Sequence, residues 1–199
     1  HYLGALQLQS LTGATIHAGK GDSDVLRNAG PRPAVFSTFP MDHVDIHSTP
    51  VDVELSGGET ITLGDARIKV IATPGHTPGS VCYLLENHGL RVLFSGDTIM
   101  TMTGDLGTYA TYLAPRYRGD AEKYLATLQQ LQTLAVPDLL LPGHPETNLG
   151  TISARISPQQ WSSLLSRGLR QMEELTARYA TDGRDFLDGN PKELIPRLH

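Results

Sequence analysis

Three side chains with metal-ligating chemistry stand at the ends of short apolar runs, each beside a glycine. His76 lies in Thr73-Pro74-Gly75-His76-Thr77-Pro78-Gly79-Ser80, Asp97 in Ser95-Gly96-Asp97-Thr98, and His144 in Leu141-Pro142-Gly143-His144. Neutral imidazole is the commonest protein ligand for zinc-like ions, and a carboxylate has two oxygens with which it can bridge a pair of them. The glycines let the backbone turn sharply and leave room for an ion and a substrate, while Pro74 and Pro78 stiffen the loop around His76. Thr77, Ser95 and Thr98 are candidates to orient these ligands from behind, although strand-end hydroxyls also serve as simple local caps.

The elements that must position these groups are legible from the patterning. Val81 to Leu85 and Leu90 to Phe94 read as two strands joined by a turn at Asn87-His88-Gly89, and they deliver His76 at one end and Asp97 at the other. Upstream, Val51, Val53 and Leu55 alternate before Gly57-Gly58, Ile61 and Leu63 before Gly64-Asp65, and Ala66, Ile68, Val70 and Ala72 up to the Thr-Pro-Gly break. These predict a meander of three strands feeding the His76 loop. Thr15-Ile16-His17 is a further strand candidate. Asp22 or Ser23 could cap a short helix through Val25 and Leu26, closed by Asn28 and Gly30.

Asp120 is a candidate cap for a helix over 121–135, with Tyr124, Leu125, Leu128, Leu131 and Leu134 in one stripe. Ser157-Pro158-Gln159-Gln160 has the pattern of a capping box with proline at the first helical position, opening a helix whose apolar face is Trp161, Leu164, Leu165, Leu169, Met172, Leu175 and Tyr179. Residues 99–119 read as one long loop; its Tyr109, Tyr112 and Tyr117 could offer hydroxyls to a developing oxyanion and Arg116 and Arg118 could hold a substrate carboxylate, although packing or solvent exposure is the favoured reading for each side chain. The segment Asp42-His43-Val44-Asp45-Ile46-His47 has histidines at helical spacing, but its flanking prolines argue for a surface loop. Residues 184–199 are polar and proline-marked, as expected of a mobile terminus.

Composition bounds the function classes. With 39% hydrophobic and 19% charged residues over 199 positions, the chain can build a sizeable single core. A net charge of -5 gives no basic footprint for nucleic acid or an acidic membrane surface, and no apolar run approaches a membrane span. The expected partner is a small-molecule substrate, with no nucleic acid and no membrane; an oligomer stays open. The single cysteine, Cys82, excludes an internal disulfide and sits in an apolar strand as a buried thiol. Compartment is open, with the cytoplasm favoured.

Together and in this order, the motifs at 73–80, 95–98 and 141–144 resemble those of the metallo-β-lactamase-fold hydrolases, a family that includes glyoxalase II, lactonases, β-lactamases and persulfide dioxygenases. The resemblance implies an α/β fold, an αβ/βα sandwich with the ligand loops gathered at one edge. It places His76 in one metal position, His1 and His144 in the other, and Asp97 bridging them. It further implies two zinc ions in the complete protein, with manganese or iron as alternatives, and a metal-activated hydroxide that hydrolyses an ester, thioester, lactone or lactam.

The family's leading motif, His-x-His-x-Asp-His, is almost absent. The context after His1, namely Leu3-Gly4-Ala5, the apolar Leu6, Leu8 and Leu11, and Thr12-Gly13-Ala14, is similar to the stretch after the last histidine of that motif in the family. His1 is therefore read as that histidine, and the chain as a fragment cut inside the motif, lacking its N-terminal strands and metal-deficient on its own. Residues 1–150 form the partial metallo-β-lactamase-like domain, and 151–199 a helical extension packing on it. Pro145, where relatives often have glycine, and the short tail after His144 depart from the glyoxalase II pattern. Two alternatives from other classes are a mononuclear iron oxygenase resembling the persulfide dioxygenases and a non-catalytic interaction domain.

Overall fold

The computed structural model describes Tyr2 and residues 4–28, 47–102, 105–108, 118–143 and 155–182. Chain order begins with helix α1 (Ala5–Thr12), strand β1 (His17–Gly19), a turn of 3-10 helix at Lys20–Asp22 and helix α2 (Ser23–Arg27). Strands β2 (Val53–Leu55), β3 (Thr60–Leu63), β4 (Ala66–Ala72), β5 (Val81–Asn87) and β6 (Leu90–Gly96) come next. The antiparallel strands β7 (Ile99–Met102) and β8 (Asp105–Thr108), helix α3 (Ala121–Gln132), strand β9 (Leu139–Pro142) and helix α4 (Pro158–Asp182) complete it.

The central sheet has five strands in the order β3-β4-β5-β6-β9, antiparallel from β3 to β6 and parallel between β6 and β9. The β5–β6 turn is tight because His88 and Gly89 both take positive φ, at 48° and 80°. Pairing register sorts the side chains by face. Leu84, Leu93 and Leu140 are direct cross-strand neighbours, as are Ile71 and Cys82, and all five are buried. This face carries α3 and α4, whose Tyr124, Leu128, Leu131, Trp161, Leu164, Leu165 and Met172 join it in one apolar core. On the opposite face Phe94, opposite Tyr83 in the register, remains 39% exposed.

Both helix starts are dictated by the sequence. Asp120 accepts the Lys123 amide at 3.0 Å, an N-cap bond on the first turn of α3. At α4 the capping box closes reciprocally: the Ser157 amide donates to the Gln160 side chain at 2.8 Å, and the Gln160 amide donates to Ser157 Oγ at 3.2 Å.

Two expectations are corrected. The first is the meander, which runs β3 to β6 and excludes β2. Strand β2 pairs in parallel with β1, Val53 opposite His17 and Leu55 opposite Gly19. Asp52 steers it there, its carboxylate accepting the Ile16 amide at 2.7 Å and the Gln9 side chain at 2.8 Å. Gly57 and Gly58, at φ 94° and 95°, then turn the chain toward the larger sheet, and Glu59 locks that turn by accepting the Ser56 and Gly57 amides. The Ser56 amide first, with the other backbone donors, holds the Glu59 carboxyl below its usual range.

The second correction concerns the stretch after Asp97. Residues 99–102 and 105–108 form the antiparallel pair β7–β8, with Ile99 opposite Thr108 and Met102 opposite Asp105. Asp105 and Gly107 are poor strand formers, so propensity concealed a ladder that cross-strand pairing stabilises.

Candidate metal centre

His76 is carried by the connection between β4 and β5. The mouth of that loop is closed by the Thr73 amide donating to Ser80 O at 2.9 Å, and its interior by the Gly75 amide on Thr77 O at 3.1 Å and the Thr77 amide on Ser80 Oγ at 3.1 Å. Helix α3 grips the limb before His76. The Asp120 amide donates to Gly75 O at 2.9 Å, and the Thr127 hydroxyl donates to Pro74 O at 2.7 Å. Gly75, at φ 143°, lies so close to α3 that a Cβ there would come within 2.4 Å of Tyr124 Cβ.

Asp97 stands just past the end of β6, where the register with β9 shifts between Phe94 and Gly96. Such an irregularity re-aims the side chains next to it. Gly96 takes φ 50°, the Thr98 amide donates back to Ser95 O at 3.1 Å, and Ser95 Oγ donates to Ile99 O at 3.0 Å. The Tyr124 hydroxyl donates to Thr98 O, so a single side chain of α3 touches the supports of both loops.

These two loops bring His76 Nε2 within 3.5 Å of Asp97 Oδ2, with the side chains 9% and 17% exposed. Two ligands of one tetrahedral zinc, each at about 2.0–2.1 Å, sit roughly 3.4 Å apart. The pair therefore fits a shared ion by distance as well as by donor chemistry. Strand β9 brings a third chain segment to the same point: the Gly143 amide donates to Gly96 O at 2.9 Å, and a Cβ on Gly143 would stand 2.6 Å from Asp97 Oδ1. Glycine at 143 is what lets β9 end against the carboxylate.

Of the four ligands expected from the sequence, the structure brings together His76 and Asp97; His1 and His144 lie outside the described residues. Among the described residues, no group of three His, Cys, Asp or Glu side chains clusters. The hydroxyls offered as supports are all engaged near the site: Thr98 meets Thr73 at 3.1 Å, Ser95 donates to Ile99 O, and Thr77 donates to Asp22. Cys82 is fully buried beside Thr73 and the Ser95 carbonyl, and burial pushes its thiol up to about 11.

Arg118 follows the packing reading. Its guanidinium donates to Gly21 O at 2.9 Å and to the Asp24 carboxylate at 3.3 and 3.4 Å, and so is engaged within the protein rather than presented to a substrate. Tyr109, Tyr112, Arg116 and Tyr117, like His43, lie outside the described residues. Sequence reasoning missed Asp22, Tyr124 and Thr127 as supports of the ligand loops. No local pattern marks them, because each reaches a partner 26 to 55 positions away.

Comparison with known proteins identifies the family of the chain. A family model described as the metallo-beta-lactamase superfamily matches residues 1–144. The chain is similar to a probable polyketide biosynthesis zinc-dependent hydrolase, BaeB, of Bacillus velezensis, 30% identical over 118 residues that make up 51% of this chain and 46% of that protein. It is also similar to a hydroxyacylglutathione hydrolase of Acidiphilium cryptum, 34% identical over 97 residues, 49% of this chain and 35% of that one. The matched stretch thus spans less than half the length of these curated relatives. In fold it is similar to BJP-1, a subclass B3 metallo-beta-lactamase of Bradyrhizobium japonicum, with a TM-score of 0.61 at 22% identity over 91% of this chain and 70% of that one. Among the described residues, no helix is long and apolar enough to cross a membrane.

Proposed function

Since this chain belongs to the metallo-beta-lactamase superfamily, we propose that it serves a zinc-dependent hydrolysis of an acyl compound, an ester, thioester, lactone or lactam, at the centre marked by His76 and Asp97. The observation that carries the reading is the 3.5 Å approach of His76 Nε2 to Asp97 Oδ2, made by two glycine-bounded strand ends. His144, one residue beyond the Gly143 that abuts Asp97, and His1 belong to the proposed ligand set, with two ions in the whole protein. The hydrolase relatives support the reaction class, and the one named zinc-dependent supports the metal.

Zinc, when bound, supplies a Lewis acid for the attacked carbonyl and lowers the pKa of water toward neutrality. The chain's own residues do the rest. His76 offers a nearly buried imidazole nitrogen, and Asp97 an anionic oxygen beside it, so the pair partly neutralises a cation and fixes its place. The buried Thr73–Thr98 contact and the grip of α3 hold both ligand loops to one framework. Preorganisation of this kind spares the site reorganisation during reaction.

The test is zinc(II) affinity by competition with a chromophoric chelator, for the whole protein as wild type, His76→Ala and Asp97→Ala, alongside turnover of an ester, thioester, lactone and lactam panel. Each substitution is expected to weaken zinc binding by at least about tenfold and to abolish turnover. Variants that bind zinc as wild type does would overturn the assignment.

A further inference from the structure

Asp22 occupies the N-cap position of α2, yet its side chain makes no capping bond there. The carboxylate is used elsewhere. One oxygen accepts the Thr77 hydroxyl, and the other accepts the Gly79 amide at 3.1 Å, 55 and 57 positions away. The backbone is shaped for that reach. A Cβ on Gly19 would lie 1.7 Å from Gly79 O, one on Gly21 2.5 Å from Pro78 C, and one on Gly79 2.7 Å from Asp22 Cγ. Three glycines thus let residues 19–22 and 78–79 pack backbone against backbone.

His76 sits between two limbs of its loop. The limb before it is fixed by α3, through Asp120 on Gly75 and Thr127 on Pro74. Among the described residues, the side-chain bonds that reach the limb after it from outside the loop come from Asp22. Asp22 also faces Arg118, whose Nη2 lies 3.5 Å from its Oδ1. One carboxylate therefore joins the loop that carries His76 to the chain that re-enters α3 after Asp97.

We propose that Asp22 is a positioning residue of the metal centre: it fixes Thr77 and Gly79 so that the His76 imidazole is held facing Asp97. The inference rests on reading His76 as a metal ligand. Groups that orient ligands from behind ordinarily govern about 10- to 100-fold in metal affinity. Asparagine is the conservative replacement, since its carbonyl oxygen can accept the Gly79 amide and its NH2 can donate to Thr77 Oγ1.

The experiment compares the whole protein as wild type, Asp22→Ala and Asp22→Asn in two readouts. The first is amide hydrogen exchange at Gly75 and Thr77, whose N–H groups are bonded within the loop and not to Asp22, referenced to Cys82 in the core strand. Asp22→Ala is expected to speed loop exchange by about tenfold relative to Cys82, and Asp22→Asn to restore it to within about threefold. The second is zinc(II) affinity, expected to fall about 10- to 100-fold in Asp22→Ala and to recover in Asp22→Asn. Loop exchange that rises only in step with Cys82, or an unchanged zinc affinity in Asp22→Ala, overturns the proposal. A wild type that binds no zinc(II) counts against the metal reading instead, and loop exchange still decides whether Asp22 holds His76 in place.

Discussion

The hydroxyls of Thr73 and Thr98 meet at 3.1 Å in the fully buried interior, tying the strand end that leads to His76 to the turn that carries Asp97. Their contact fixes the relative placement of two loops that the sequence separates by a whole hairpin, and Cys82 adds its thiol to Thr73 Oγ1 at 3.6 Å. The candidate site is thus held by a polar seam behind His76 and Asp97 and by helix α3 beside them.

Breaking that seam on one side leaves a buried hydroxyl without its partner. Thr73→Val and Thr98→Val are each expected to destabilise the fold by about 1–3 kcal/mol, whereas the double variant should cost clearly less than the sum. Urea denaturation of the four proteins of the cycle measures the coupling. Strict additivity would mean that the contact contributes nothing.

The Gly75–Tyr124 approach admits no side chain. Gly75→Ala would drive a Cβ to 2.4–2.6 Å from Tyr124 atoms while forcing alanine to φ 143°, so a loss of roughly 3 kcal/mol or more is expected from overlap and strain together. Tyr124→Phe removes only the hydroxyl that bonds Thr98 O and should cost about 1–2 kcal/mol. Thermal unfolding that ranks the two in the reverse order would contradict this packing.

The placement of His76 and Asp97 was legible because glycine and proline mark strand ends locally, within a few residues of each side chain. The helix caps and helix stripes were legible for the same reason, since their partners are three or four positions apart. Asp22 was not, because its role is set by residues 55 positions away, and the local pattern offered a helix cap instead. Pairing misled in the same way at β2, where alternation predicted a strand but could not say that Asp52 and the Gly57-Gly58 turn would hand it to β1. At β8, Asp105 and Gly107 gave a loop-like composition to a segment whose ladder is made by its neighbour.

Alkaline stability should carry the signature of Cys82. Burial pushes this thiol up to about 11, outweighing the opposing hydrogen bonds of Thr73 and Thr98, from an ordinary value of about 9. As pH rises through that window the unfolded chain sheds the proton first, so the folded state binds more protons and stability falls. The stabilisation is fully present below about pH 9 and is lost toward pH 11, by on the order of 2–3 kcal/mol. Tyr83, raised chiefly by its own burial, acts in the same direction at higher pH. Urea midpoints taken at rising pH should decline in wild type, and Cys82→Ala should flatten the early part of that decline.

Gly143→Ala separates the site from the fold. The added Cβ would fall 2.6 Å from Asp97 Oδ1, while its contacts with the Gly96 backbone, at 3.0 and 3.1 Å, are only tight. The carboxylate is the movable partner, so it should swing away and relieve the clash. Stability is then expected to drop by no more than about 1–3 kcal/mol. The His76–Asp97 approach of 3.5 Å, however, would be lost. Zinc affinity should fall by about 10- to 100-fold, the range for disturbing a ligand through its surroundings. Paired measurements of unfolding and of chelator competition check both halves. A variant that unfolds readily yet binds zinc as wild type does would show that Gly143 serves the β6–β9 junction and not the carboxylate.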